Sequence, residues 1–209
     1  MKTVKRGERR EKRDGAVMRF ITAFSFMFVF VFLPSCGDRN PQPKPRGYFR
    51  IDLPEKQYVR LDTMRRYSFE VPTYSVIIPD PYSPEEKDWV NVEFPKYKGT
   101  VHVSYKNVDE NLGDFLEDAH TMISKHIVKA TGIRDSVVIN RGRDVYGLVY
   151  FLEGDDVASP LQFYLTDSTE HFMRGSLYFN IRPNNDSMQP IISYITDDVR
   201  HIISTFEWK

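Results

Sequence analysis

Fourteen consecutive residues, Phe20 to Leu33, carry no charge and are mostly large and apolar, and the run stops three residues before Cys36, the only cysteine of the chain. Coiled as a helix at roughly 1.5 Å per residue, it would reach about 21 Å, against a bilayer hydrocarbon core of about 30 Å. It is too short to span comfortably. A basic opening, an apolar stretch of this length and a small residue at its end, Ser35, form the pattern of a secretory signal peptide. The consequence for folding is direct: residues 1–35 are a leader, and any globular core has to be built from the chain beyond them.

The charge balance agrees with that division. Over 209 residues, 29 Lys and Arg offset 29 Asp and Glu. Residues 1–35 hold eight of the basic residues and three of the acids, which leaves 21 basic and 26 acidic groups, a net of −5, in the remaining 174. The 41% apolar and 28% charged content is that of a globular protein. Nothing in its charge points to nucleic acid. A single cysteine rules out an intramolecular disulfide framework and every multi-cysteine zinc or iron–sulfur site.

Leu33-Pro34-Ser35-Cys36 resembles a bacterial lipobox, at which a signal peptidase cuts before a diacylglycerol-modified cysteine; Pro34 departs from its usual middle residues. The resemblance makes Cys36 the lipidation site and the membrane the first partner. Two or three acyl chains hold lastingly, since each buried CH₂ contributes roughly 0.8 kcal/mol. The seventeen residues before Met18 are long for the basic part of a signal, so translation is expected to start at Met18. After Cys36 the stretch Gly37 to Arg46 contains three prolines and no large apolar group, an extended tether over 36–46. The ordered domain is expected over 47–209.

Within it, alternating or β-branched segments predict strands at Tyr67–Val71, Val76–Ile78, Trp89–Phe94 and Thr100–Tyr105, with Pro95–Gly99 as a hairpin connection. Leu112, Phe115, Leu116, Ala119, Ile123, Ile127 and Ala130 form one apolar stripe, predicting a helix over Asn111–Ala130 capped by Asp109 or Asn111 and ended by Gly132. Strands resume at Ser136–Asn140, Val145–Leu152, Leu161–Thr166 and His171–Phe179. A second helix, capped by Asp186 or Ser187 with Pro190 in its first turn, turns Ile191, Ile195, Val199, Ile202 and Phe206 inward. This order predicts a single α+β domain, an antiparallel sheet covered by two main helices. A sandwich of the Mog1/PsbP type fits it by analogy.

The chemistry-bearing residues do not assemble into a recognisable motif. His120 and His126 are six apart, which places them roughly 120° apart on a helix, so the i, i+4 pair of a zincin-like helix is missing. His102 and His171 fall in strands, where hydrogen-bonded structural histidines are the commoner case. Ser176 follows Gly175 but lacks the second glycine and the strand–helix turn of a nucleophile elbow, and Gly175 reads as a bulge or close contact. Glu153-Gly-Asp-Asp156 reads as a solvated turn in preference to a cation site. No catalytic residue, metal or cofactor is expected. Aromatics are plentiful at 14%, and those beside charges, such as Tyr48, Tyr97, Phe163, Tyr164 and Phe172, divide between core filling and partner contact.

Three segments carry a family resemblance: Pro43-Lys-Pro-Arg-Gly-Tyr-Phe-Arg-Ile-Asp-Leu-Pro54, Tyr67-Ser-Phe-Glu-Val-Pro-Thr-Tyr74 and Trp89-Val-Asn-Val-Glu-Phe-Pro95. With Gly99–Tyr105, Leu161–Ser168 and His171–Phe179 in the same order, the chain resembles the gliding motility-associated lipoproteins called GldD. The resemblance implies a lipid-anchored envelope protein needed for gliding and linked to type IX secretion, with other envelope proteins of that machinery as partners. It supplies no catalytic residues; only the lipidated cysteine maps, onto Cys36. Arg46, Tyr48 and Arg50, beside the tether, are the candidate partner contacts. Gly37 after the cysteine, with no clear acidic export signal nearby, favours the periplasmic side. The rival reading is an envelope lipoprotein that binds a small molecule or peptidoglycan, and it requires an aromatic-lined pocket with convergent carboxylates.

Overall fold

Period-two alternation between Tyr67 and Phe179 becomes a run of antiparallel strands. The computed structural model describes residues 47, 48 and 50–209. The leader, the expected start at Met18, Cys36, the tether and Arg46 lie outside the described residues. In chain order the elements are β1 (Tyr58–Leu61), β2 (Tyr67–Pro72), β3 (Val76–Pro79), β4 (Val90–Phe94), β5 (Gly99–Asn107), α1 (Leu112–Ile127), β6 (Gly132–Asn140), β7 (Val145–Glu153), β8 (Leu161–Thr166), β9 (His171–Phe179), α2 (Asn185–Thr205) and β10 (Glu207–Trp208). A 3-10 turn, Pro95–Tyr97, joins β4 to β5. Seven strands form one sheet, ordered β3-β4-β5-β9-β8-β7-β6, and β1, β2 and β10 form a second. All pairings are antiparallel. The class is α+β, with antiparallel sheets and two main helices. No helix of the described residues is long and apolar enough to cross a membrane.

The core lies between one face of the large sheet, α2 and β2. Val90, Val92 and Phe94 of β4 and Val101, Val103 and Tyr105 of β5 all turn to this side, as their alternation requires. Ile195, Val199 and Ile202 reach down from α2 at four- and three-residue spacing. Tyr67, Phe69 and Phe206, all fully buried, stack at 5.7–6.2 Å between ring centres. Each large side chain withdrawn from water here contributes roughly 1.5–3 kcal/mol. On the opposite face α1 packs against β9, burying Ala119 and Ile123 and setting the Phe115 ring 5.5 Å from Phe172.

The structure moves several expected boundaries. The first helix stops at Ile127, and Gly132 opens β6 instead of capping the helix. Asn111 does occupy the N-cap position, but its Oδ1 accepts from the Asp109 backbone N–H at 2.9 Å and bonds no helical amide. The second helix is capped further upstream, by Asn184, whose side chain accepts from the Ser187 amide at 3.3 Å. Pro190 therefore sits six residues into α2, in its second turn. Strands β1 and β10 have no counterpart in the periodicity, because four and two residues are too few to show one; their register against β2 holds them.

Residues 51–57 are strapped to α2. The Tyr194 hydroxyl donates to the Pro54 carbonyl at 2.6 Å, and the Lys56 ammonium donates to the Tyr194 carbonyl at 2.7 Å. Lys56 also pairs at 2.9 Å with Asp198, whose side chain is completely buried and accepts from the Tyr58 and Tyr74 hydroxyls. A buried carboxylate persists only when its lone pairs are met by donors, and here three side chains meet them.

Candidate functional site

A sheet face beneath a helix is ordinarily apolar, since packing against the helix is what buries it. The face beneath α1 is not. Strand register aligns Asn91, His102, Ser176, Gln162 and Tyr150 in one row across β4, β5, β9, β8 and β7. The next row on the same face is Ser104, Arg174 and Tyr164. Their sequence neighbours Val103, Phe163 and Leu177 point into the core behind. Over this polar floor lies a cleft of about 450 Å³, walled by Phe115 and Met122 of α1, by Phe172 and by the loop that carries Tyr82. That volume is within the range of roughly 300–1,000 Å³ that holds small molecules.

Arg174 and His102 line the cleft, and His126 of α1 reaches its lining residue Tyr178. The Arg174 guanidinium donates from Nη2 to Gln162 Oε1 at 2.8 Å and forms no ion pair among the described residues. Burial pulls its pKa below the usual arginine value. His102 holds Asn91 Oδ1 with Nδ1 at 2.8 Å, and burial lowers its pKa against the opposing pull of Asp80 and Glu93. His126, from α1, reaches the Tyr178 hydroxyl with Nε2 at 3.1 Å; burial, Arg174 and Lys129 lower its pKa. Both imidazoles sit edge-on to the Tyr178 ring, at 5.8 and 5.9 Å. Lys106 is already engaged, paired with Glu86 at 3.0 Å and lying over Trp89. The arrangement offers a desolvated cation and hydroxyls beside aromatic walls. It presents no nucleophile held by a base: Ser176 is buried and makes no hydrogen bond to a histidine.

The other residues singled out from the sequence scatter. His120 is exposed on α1. His171 is buried, bonded to the Tyr105 hydroxyl at 2.6 Å and stacked on Trp208 at 5.0 Å. Gly175 marks no bulge, since β9 pairs continuously through it; the Phe163 ring lies over its Cα, 2.1 Å from where a Cβ would stand. The acidic turn at 153–156 is scaffold: Glu153 pairs with Arg134 at 2.8 Å, and Asn185 Nδ2 donates to the Gly154 and Val157 carbonyls at 2.8 Å each. Gly154 needs its φ of +141° to make that turn. Among the described residues, no group of three His, Cys, Asp or Glu is placed to hold a metal. Tyr97 and Phe163 are core and Phe172 is buried under α1 at the cleft, whereas Tyr48 is half-exposed and Arg50 lies at the surface, its Nε 3.3 Å from Asp52. The row of polar residues was missed because its two halves, on β4–β5 and on β7–β8–β9, meet only through the β5–β9 pairing between strands distant in sequence.

Known proteins bear on the chain in two ways. The solution structure of cyanobacterial PsbP (CyanoP) from Synechocystis sp. PCC 6803 is similar at 15% identity, covering 77% of this chain and 98% of that one with a TM-score of 0.45. No curated protein matches the chain closely enough to count as a relative. The family model of the gliding motility lipoprotein GldD matches residues 38–208, nearly the whole of the chain beyond Cys36, and the chain belongs to that family.

Proposed function

We propose that this protein is a lipid-anchored accessory of the gliding and type IX secretion machinery, non-catalytic, held on the periplasmic side and acting through protein contacts. The observation that carries the reading is the family match, which begins at residue 38, two residues after Cys36. On this reading residues 1–35, starting in the cell at Met18, are removed as a leader; Cys36 takes the lipid; 36–46 is the tether; and 47–209 is the working domain. Lipid attachment confines the domain to one surface and raises its effective concentration near membrane partners. In sequence Arg46, Tyr48 and Arg50 fall between the tether and the strap of residues 51–57 on α2, which gives the start of the domain a firm footing.

The experiment has two arms, metabolic labelling with a palmitate analogue and charge reversal. The wild-type chain incorporates the label and Cys36→Ala does not. Arg46→Glu with Arg50→Glu impairs spreading of the colony while leaving the thermal unfolding midpoint unchanged, because Arg50 is surface-exposed and its pair with Asp52 adds little. A folded, fully active double variant would remove these arginines from the contact, and an equally labelled Cys36→Ala would remove the anchor.

A further inference from the structure

We propose that the cleft between α1 and the β4-β5-β9 floor binds a small molecule with an oxyanion head and an apolar body, the head on Arg174 and Ser176 and the body against Phe115, Met122 and Phe172. The inference goes beyond the accessory role and does not depend on it.

Four observations converge. First, Arg174 is a partly buried cation whose one hydrogen-bond acceptor among the described residues is a neutral amide, Gln162 Oε1. Taking a cation out of water without an anion is costly, and a guanidinium leaves donors in the fork geometry that carboxylate and phosphate fit. Second, Gln162, outside the cleft lining, is itself completely buried, and its Nε2 has no partner among the described residues. The protein thus meets the guanidinium with a neutral amide that is itself only half satisfied, and supplies no charged acceptor in its place. Third, Ser176 and Ser104 flank Arg174 on the floor, and the Ser176 hydroxyl has no hydrogen-bond partner among the described residues. Fourth, the walls are apolar and Tyr82 at the cleft is 89% exposed, a large aromatic surface left to water.

The charges set the class of ligand. Asp80, half-buried, and Asp118, exposed, also line the cleft, but neither pairs with Arg174. His102 and His126 are held toward their neutral forms and Lys106 is paired with Glu86, so Arg174 is the cation at the floor that has no carboxylate partner among the described residues. One cation, hydroxyl donors and aromatic walls fit a monoanion or phosphate monoester carrying an aryl or alkyl group. A cation, or a sugar without an acidic group, leaves Arg174 unmet.

The test uses the full-length chain in nanodiscs of zwitterionic phospholipid and tracks probe binding by ligand-observed NMR. The probes are 4-phenylbutyrate, 2-phenylethyl phosphate, 4-phenylbutan-1-ol and 4-phenylbutylamine. At least one of the two anions binds saturably, with a Kd of about 1 mM or tighter, the range for a probe of this size. The alcohol and the amine bind at least about tenfold more weakly, the difference one charge-assisted pairing makes. Arg174→Gln weakens the anion by about tenfold or more on the same ground. Because that residue is partly buried, a second variant is paired with it. Met122 is 41% exposed on α1, so Met122→Glu and Met122→Lys both retain the fold and lose the same apolar wall; Met122→Glu, which also repels the anion, weakens it more than Met122→Lys does. Absence of saturable anion binding, equal binding of the alcohol or amine, or equal anion binding by Met122→Glu and Met122→Lys overturns the proposal.

Discussion

Asp198 is the residue whose change most sharply tests the packing around α2. Its carboxylate is wholly buried, accepts from the Tyr58 hydroxyl at 2.9 Å and from Tyr74, and pairs with Lys56 at 2.9 Å. Burial, and then the carboxylate itself, push both tyrosines well above their ordinary pKa, so each stays protonated and donates. Asp198→Asn keeps the volume and one acceptor but removes the charge. Each hydroxyl bond then falls from the charge-assisted range toward the neutral one, a loss of about 1 kcal/mol apiece. Lys56 loses its counterion, but a quarter of its side chain is exposed and can turn to water, which limits that part to about 1 kcal/mol. The sum is about 3 kcal/mol, or roughly 6–12 °C in Tm for a unit of this size. Lys56→Met alone should cost about 1–2 kcal/mol, and the double variant should cost less than the two singles added, by about 1 kcal/mol. Urea unfolding monitored by circular dichroism measures all three. A loss under about 1 kcal/mol for Asp198→Asn, or strict additivity, refutes the reasoning.

Two further predictions concern the sheet. Gly175→Ala places a Cβ 2.1 Å from Phe163 Cζ in a ring that is 2% exposed, so it should destabilise by about 3 kcal/mol or more, with Phe163→Leu recovering part of the loss; unfolding midpoints within experimental error of wild type would contradict the contact. Acidification acts through His102 and His126, whose folded pKa values lie below the ordinary 6.5. Below that value the unfolded chain binds more protons than the folded one, so stability is full above pH 6.5 and falls as pH drops toward the folded values. Tm should decrease between pH 7.5 and 5.5, and His102→Gln with His126→Gln should flatten the slope; a Tm that rises on acidification would reverse the sign.

The parts of this fold that sequence reasoning found are those set by local pattern. Alternation located β2, β4, β5, β8 and β9, and the spacing of Ile195, Val199 and Ile202 gave the buried side of α2. The stripe on α1 was a weaker guide. Ile127 is 41% exposed and Ala130 lies past the helix end, because α1 rests on a floor that is polar and partly open. On β6 the outward row Ile133, Val137 and Ile139 is apolar yet exposed, since no layer covers the edge of the sheet there. Nothing local in the sequence marks Asp198, whose burial depends on tyrosines more than 120 residues away. Arg174 and Gln162 likewise meet only through the β8–β9 pairing. Local periodicity carries no information about such meetings, which is why the cleft was not anticipated while the strands that build it were.

The central claim is that a lipid-tethered domain serves the secretion and gliding machinery, and the secreted proteome of a deletion strain tests it most directly. The strain is complemented separately with the wild-type gene and with Cys36→Ala, and culture supernatants are compared by quantitative mass spectrometry alongside colony spreading. Type IX cargo is expected to disappear from the supernatant on deletion and to return with the wild-type chain but not with Cys36→Ala at equal abundance. An unchanged set of secreted proteins in the deletion strain, or full restoration by the unlipidated chain, would contradict it.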